Sequence, residues 1–107
     1  MTESEFNDQV DETLQQIEEI LDEAETDLDY RNGGGILTVI CENGSQVIFT
    51  RQTPVKQLWV AARSGGFHFD FDAGSQRWLR DTDQQPLAEL LQAVFDEQAG
   101  ETFSFDL

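Results

Sequence analysis

Apolar residues recur at Phe6, Val10, Leu14, Ile17, Ile20, Leu21 and Ala24, three or four positions apart, which is the period of an amphipathic helix. This spacing predicts a helix over about residues 3–24, with Thr2 or Ser4 as its N-cap. The period then changes. Asp27, Asp29 and Arg31 alternate with Leu28 and Tyr30, as in a first strand, before Asn32-Gly33-Gly34-Gly35 turns the chain. Two β-rich runs, 36–42 and 46–51, flank Asn43-Gly44, a strong local signal for a tight hairpin. Pro54 interrupts the pattern, 57–62 resumes it, and Gly65-Gly66 predicts another turn. Aromatic and polar residues alternate over 67–72, and a short sixth strand falls around 77–80.

A second helix is marked by Asp83 as candidate cap, Pro86 in the first turn, an apolar face of Leu87, Leu90, Leu91, Val94 and Phe95, and Gly100 as its end. Strands in one block between two helices predict an α+β domain, with two terminal helices packed on one face of an antiparallel β-sheet. The 107 residues suffice for one such domain, 1–107. Phe103, Phe105 and Leu107 alternate with polar residues, so the tail is expected to lie back over the helices.

Strand parity makes a second set of expectations. If Leu58 and Val60 face the core, Gln57, Trp59 and Ala61 face away from the helices. Trp59 is then an exposed interface anchor, with Arg51 and Gln52 of the neighbouring run beside it. The same rule places Phe67, Phe69 and Phe71 inside and His68, Asp70 and Asp72 outside.

Composition changes this picture mainly through charge. The formal net charge is -16, and twelve of the 22 carboxylates lie within the first 29 residues with no Lys, Arg or His among them. Asp8, Asp11, Glu12, Glu18, Glu19, Asp22, Glu23 and Glu25 share one side of the first helix, opposite its apolar face. Such a surface disfavours nucleic acid and anionic membrane and favours metal cations or a basic protein. General salt adaptation is the alternative, but it does not account for the clustering. Cys41 is the only cysteine, which excludes an internal disulfide and suggests a buried thiol. With no secretory or transit-like N-terminus and no apolar run of membrane-spanning length, the chain is expected to be cytoplasmic.

Carboxylate oxygens suit hard cations such as iron and calcium, but side chains fanning from a convex helix do not converge on a point. Metal held there is expected to bind weakly. A calcium loop starting at Asp27 fails, since Arg31, Asn32 and Thr38 occupy positions that require a ligand, a glycine and a closing Glu. His68 with Asp70 and Asp72 is a second conceivable metal set, although a lone surface His rarely ligates. No phosphate-binding glycine loop, zinc-ligand spacing or nucleophile motif occurs, and a conventional enzyme would have to rely on carboxylates alone.

Several short motifs in fixed order resemble the frataxin family in its bacterial form over essentially the whole chain. They are Ser4-Glu5-Phe6, the pairs Glu18-Glu19 and Asp22-Glu23, Asn32-Gly33-Gly34, and Glu42-Asn43-Gly44-Ser45. Arg51-Gln52-x-Pro54, Gln57-x-Trp59-x-Ala61, Gly65-Gly66-Phe67-His68-Phe69-Asp70, Trp78 and Ala99-Gly100-Glu101-Thr102 follow. Asn7 departs from the pattern, standing where bacterial members often carry His, and Arg31 adds a cation at the end of the acidic edge.

The resemblance implies an α-β sandwich and a role in iron-sulfur cluster assembly. It implies weak iron binding, as Fe2+ or Fe3+, on a ridge of Glu18, Glu19, Asp22, Glu23, Glu25, Asp27 and Asp29. It also implies docking on a cysteine desulfurase, and contact with the iron-sulfur scaffold protein, through Glu18, Glu19, Asp22, Glu23, Arg51, Gln52, Gln57 and Trp59. A monomer that forms oligomers with iron is the expected state. Iron storage, with ferroxidase activity and metal-driven oligomerisation, is the alternative reading, and an acidic mimic of nucleic acid fits the charge without the motifs.

Overall fold

The computed structural model describes residues 1–107. Helix α1 spans Glu3–Leu21, and six strands follow: β1 (Asp29–Gly33), β2 (Ile36–Ile40), β3 (Gln46–Gln52), β4 (Gln57–Ala62), β5 (Gly65–Asp72) and β6 (Arg77–Arg80). Helix α2 spans Leu87–Ala99. Each strand pairs antiparallel with its sequence neighbour, giving the meander order β1-β2-β3-β4-β5-β6. The register puts Leu37, Val39, Val47, Phe49, Leu58, Val60, Phe69 and Trp78 on one face, where all are buried. Phe6, Val10, Leu14, Ile17 and Leu21 of α1 and Leu87, Leu90, Leu91, Val94 and Phe95 of α2 complete the core. Full burial of each large apolar side chain contributes about 1.5–3 kcal/mol. Cys41 is buried in this core, and no helix is long and apolar enough to cross a membrane.

Helix α1 begins with a capping box: Thr2 Oγ1 accepts from the Glu5 amide at 3.1 Å, and the Glu5 carboxylate accepts from the Thr2 amide at 3.1 Å. These bonds hold the Glu5 carboxyl below the usual range, the one to the Thr2 backbone contributing most. The helix ends at Leu21, three residues before the apolar period does. Its last turn has no basic residue, so like charges face the negative end of the helix dipole. The Glu23 and Ala24 amides instead donate to Ile20 and Leu21 carbonyls, three residues back, in a tightened turn. Accordingly Asp27 lies in the link to the sheet, and β1 starts at Asp29.

Three turns differ from their sequence signals. Gly34 and Gly35 (φ 62° and 78°) form the two-residue hairpin between β1 and β2, with Gly33 paired to Ile36. At Asn43-Gly44 only Gly44 has positive φ, and the loop is longer: the Gly44 amide donates to the Cys41 carbonyl and the Cys41 amide to the Ser45 carbonyl. That is the three-residue hairpin with a left-handed glycine, and the Asn43 side chain is freed to cap Ser45 and to donate to the Gln98 carbonyl. The β4–β5 turn is Arg63-Ser64, while Gly65 and Gly66 already belong to β5.

Asp83 does not cap α2. Pro86 occupies that position without a side-chain bond, and Asp83 receives the Arg80 guanidinium and the Gln85 amide. Gly100 ends α2 in the left-handed conformation, and the rings of Phe103 and Phe105 return to Phe95 at centroid distances of 5.7 and 5.5 Å.

Candidate functional site: an acidic ridge and an open sheet face

The ridge carboxylates fall into two groups. Glu18 and Asp22 are four residues apart and face the edge strand β1, whereas the exposed side chains of Glu19, Glu23, Glu25 and Asp27 make no hydrogen bond. Tyr30 and Asn32 pair with Val39 and Leu37, both core residues, so their side chains leave β1 toward the helix. Tyr30 Oη donates to Asp22 Oδ1 at 2.6 Å, and Asn32 Nδ2 donates to Glu18 Oε1 at 3.0 Å. The spacings match: four residues of helix rise about 6 Å, and two residues of strand about 6.8 Å. The bond to Asp22, then burial and the Asp22 and Glu18 charges, push the Tyr30 hydroxyl up to about 12.

Asp29 and Arg31 alternate with those two, pair with Ile40 and Thr38, and face the opposite side of the sheet. Arg31 makes no ion pair and does not neutralise the helix side of the ridge. The link between α1 and β1 is held by Glu101, whose carboxylate accepts from the Glu25 amide at 3.1 Å, the Thr26 amide at 2.8 Å and the Thr26 hydroxyl at 2.7 Å. These bonds, the Thr26 hydroxyl foremost, hold the Glu101 carboxyl below the usual range. Glu101, Tyr30 and Asn32 are the residues that sequence reasoning did not assign to the ridge. For Tyr30 and Asn32 the signal was present, as an i, i+2 pair opposite an i, i+4 pair.

Nowhere do three or more His, Cys, Asp or Glu side chains come together in a way that could hold a metal ion. The donors fit a hard cation by chemistry, all being carboxylate oxygens, but as scattered partial sites rather than a cage. His68 stands apart from the ridge, 3.8 Å from Asp81 across Nδ1 and Oδ2, and Asp70 and Asp72 do not join it into a metal site.

On the open face Trp59 is half-buried rather than exposed, because two neighbours cover it. Its indole stacks on His68, directly opposite on β5, at 4.2 Å and 18° between planes. Its Nε1 donates to Gln57 Oε1 at 3.0 Å. Gln57 Nε2 in turn donates to Asp70 at 3.2 Å and to Asp81 at 3.4 Å, so Trp59 sits in a fixed polar network. Thr50 and Gln52 lie beside it. Arg51 does not. It pairs with core-facing Leu58, points to the helix side, and binds Asp11 at 2.6 Å and Asn7 at 3.2 Å. The expected set around Trp59 therefore keeps Gln52 and Gln57 and loses Arg51, since strand parity separates Arg51 from Gln52.

A two-helix, six-strand antiparallel sandwich with an acidic helix face defines a class of small α+β protein. The frataxin-like domain model matches residues 1–101, and the chain belongs to the frataxin family. It is 52% identical over 105 residues to the iron-sulfur cluster assembly protein CyaY of Pseudomonas aeruginosa, covering 98% of this chain and 97% of that one. The protein of the same description from Pseudomonas fluorescens is 48% identical over 106 residues, covering 99% and 96%. Among solved structures, a frataxin from Psychromonas ingrahamii superposes with a TM-score of 0.90 at 34% identity, covering 100% of both chains. A trimeric yeast frataxin complexed with ferrous iron shares the fold, with a TM-score of 0.70 at 22% identity over 94% of this chain and 88% of that one.

Proposed function

We propose that this protein serves iron-sulfur cluster assembly, binding iron weakly on the acidic ridge and docking on a cysteine desulfurase. Its relatives of about half-identical sequence are described as iron-sulfur cluster assembly proteins. The observation that carries the reading is the run of exposed carboxylates Glu19, Asp22, Glu23, Glu25, Asp27 and Asp29, none of them in an ion pair and with no convergent site among them. Such a surface concentrates cations without trapping them and meets a basic partner quickly, raising the association rate more than the affinity. The face around Trp59 and Gln57 supplies the short-range contact, with the scaffold protein as a further partner.

Anaerobic Fe(II) titration followed by amide resonances tests the metal half. Shifts should begin between Glu18 and Asp29; shifts centred on His68 and Asp81 would place the metal elsewhere. Binding to the desulfurase should weaken steeply with salt, since exposed charges are screened over about 10 Å at 0.1 M. Sedimentation during the same titration distinguishes the storage reading, which requires assembly into larger species as iron is added.

A further inference from the structure

His68 is the only histidine of the chain, and on the open sheet face it stands between an aromatic ring and a carboxylate. On one side the Trp59 indole of β4 stacks on its ring at 4.2 Å. On the other, Asp81, whose amide donates to the His68 carbonyl at 3.0 Å, brings Oδ2 to 3.8 Å from Nδ1. Gln57, which accepts the Trp59 indole N–H at 3.0 Å, also donates to Asp81, through Nε2 at 3.4 Å. Both contacts that hold Trp59 therefore lead to one carboxylate. Asp70, reached by the same Gln57 Nε2 at 3.2 Å, is the other charged group beside this cluster, and neither aspartate pairs with Lys or Arg. From β3 only the neutral Thr50 and Gln52 line the same slot, and the Arg80 guanidinium is turned to Asp83 and the Phe67 ring.

We infer that His68 positions Trp59 with a hold that depends on a proton: protonated, it binds Asp81 and fixes the indole for docking, and neutral, it leaves the indole looser. Histidine is the side chain whose ordinary charge change falls between pH 5 and 8. With both nitrogens protonated, Nδ1 becomes a donor facing a carboxylate, and the 3.8 Å contact closes to a charge-assisted hydrogen bond. Asp81 accepts this bond beside the one from Gln57, since a carboxylate offers several lone pairs. The imidazolium then lies against the indole face, whose negative π cloud favours a cation. A partner meets a ring already in place, and less side-chain freedom is lost on binding. His68 is thus a positioning residue, acting on the partner through Trp59. This inference rests on the reading of the sheet face as a docking surface.

The test follows the heteronuclear NOE of the Trp59 indole nitrogen at pH 8 and about pH 5.5. The wild type is compared with His68→Gln, His68→Phe and Asp81→Asn, amide spectra serve as a check on folding, and desulfurase binding is measured at the same two pH values. In the wild type the NOE should rise at the lower pH, toward that of the buried Trp78, which should stay constant. His68→Gln should stay low at both pH values. His68→Phe keeps a ring on the indole and carries no proton, so its NOE should not vary with pH, and Asp81→Asn should lose most of the rise. Relative to His68→Gln, the wild type should gain roughly 3- to 10-fold in desulfurase affinity at the lower pH, as one added hydrogen bond provides. That gain should vanish in a Trp59→Ala background. A wild-type NOE that does not change with pH, or a rise that persists in His68→Gln, overturns the inference while leaving the sheet face as a docking surface. If Trp59→Ala binds the desulfurase as the wild type does, the docking reading itself falls, and this inference with it.

Discussion

Trp78 Nε1 donates to Thr13 Oγ1 at 2.9 Å inside the core, joining the middle of the first helix to the last strand across 65 positions of sequence. Both residues are buried, and the Trp78 ring also meets Phe6 and Phe71 edge-on, at 6.0 and 5.2 Å. Thr13→Val keeps the volume and leaves the indole N–H without an acceptor. The expected loss is about 1–3 kcal/mol, the cost of one unsatisfied buried donor, measured by chemical denaturation. The near-ultraviolet dichroism of Trp78 should change with it.

The sole tyrosine offers a titration with a defined sign. Its folded value of about 12 lies above the ordinary tyrosine value of about 10, so the stabilisation it represents is complete below about pH 10 and is lost as pH rises through 12. Absorbance titration should give a midpoint near 12 in the wild type and a clearly lower one in Asp22→Asn. An unchanged midpoint in that variant would mean that Asp22 is not the acceptor in solution.

Glu101 works in the opposite direction. Its carboxyl is depressed, so its contribution is present at neutral pH, above the unfolded value, and is lost as pH falls through the lower folded value. Glu101→Gln should flatten the acid limb of the stability profile. It should also speed amide exchange at Glu25 and Thr26, whose acceptor it weakens.

Ridge charge and stability should trade against each other residue by residue. Glu19→Lys removes an exposed like charge from the last turns of α1 and should raise stability in low salt by about 0.2–0.5 kcal/mol per repulsive pair. The gain should fade in high salt. Asp22→Lys should not gain in this way, because it also abolishes the acceptor of Tyr30. Thermal melts of the two variants at low and high salt separate the cases.

The number and order of elements and the core were legible because they follow from periodicity, which depends only on which residues avoid water, and the buried cysteine because a lone thiol packs as a small hydrophobe. Parity placed Trp59 on the correct face. It did not foresee the stacking of His68, which depends on β4–β5 register, or the opposite orientation of Arg51, which reverses on moving one residue from Gln52. Turn chemistry was weaker evidence: Asn43 looked like the centre of a two-residue hairpin, but its side chain satisfies Ser45 and Gln98, and that geometry goes with a longer loop. Asp83 carried a cap-like identity and instead serves Arg80. The carboxylates of the ridge were plain in the sequence, while the division between tethered and free ones required knowing which strand lies beside the helix.

Gln98, buried near the end of α2, accepts from the Arg63 amide at 2.8 Å and donates to Ser45 Oγ at 3.1 Å and to the Gln46 carbonyl at 3.2 Å. One side chain thus fastens the β2–β3 and β4–β5 turns to the same helix end. The Arg63 amide, though it sits in an exposed hairpin tip, should therefore exchange with solvent only when the end of α2 lifts, giving it the protection of an interior strand rather than of a turn. Its exchange rate becomes a local clock for the docking of the second helix.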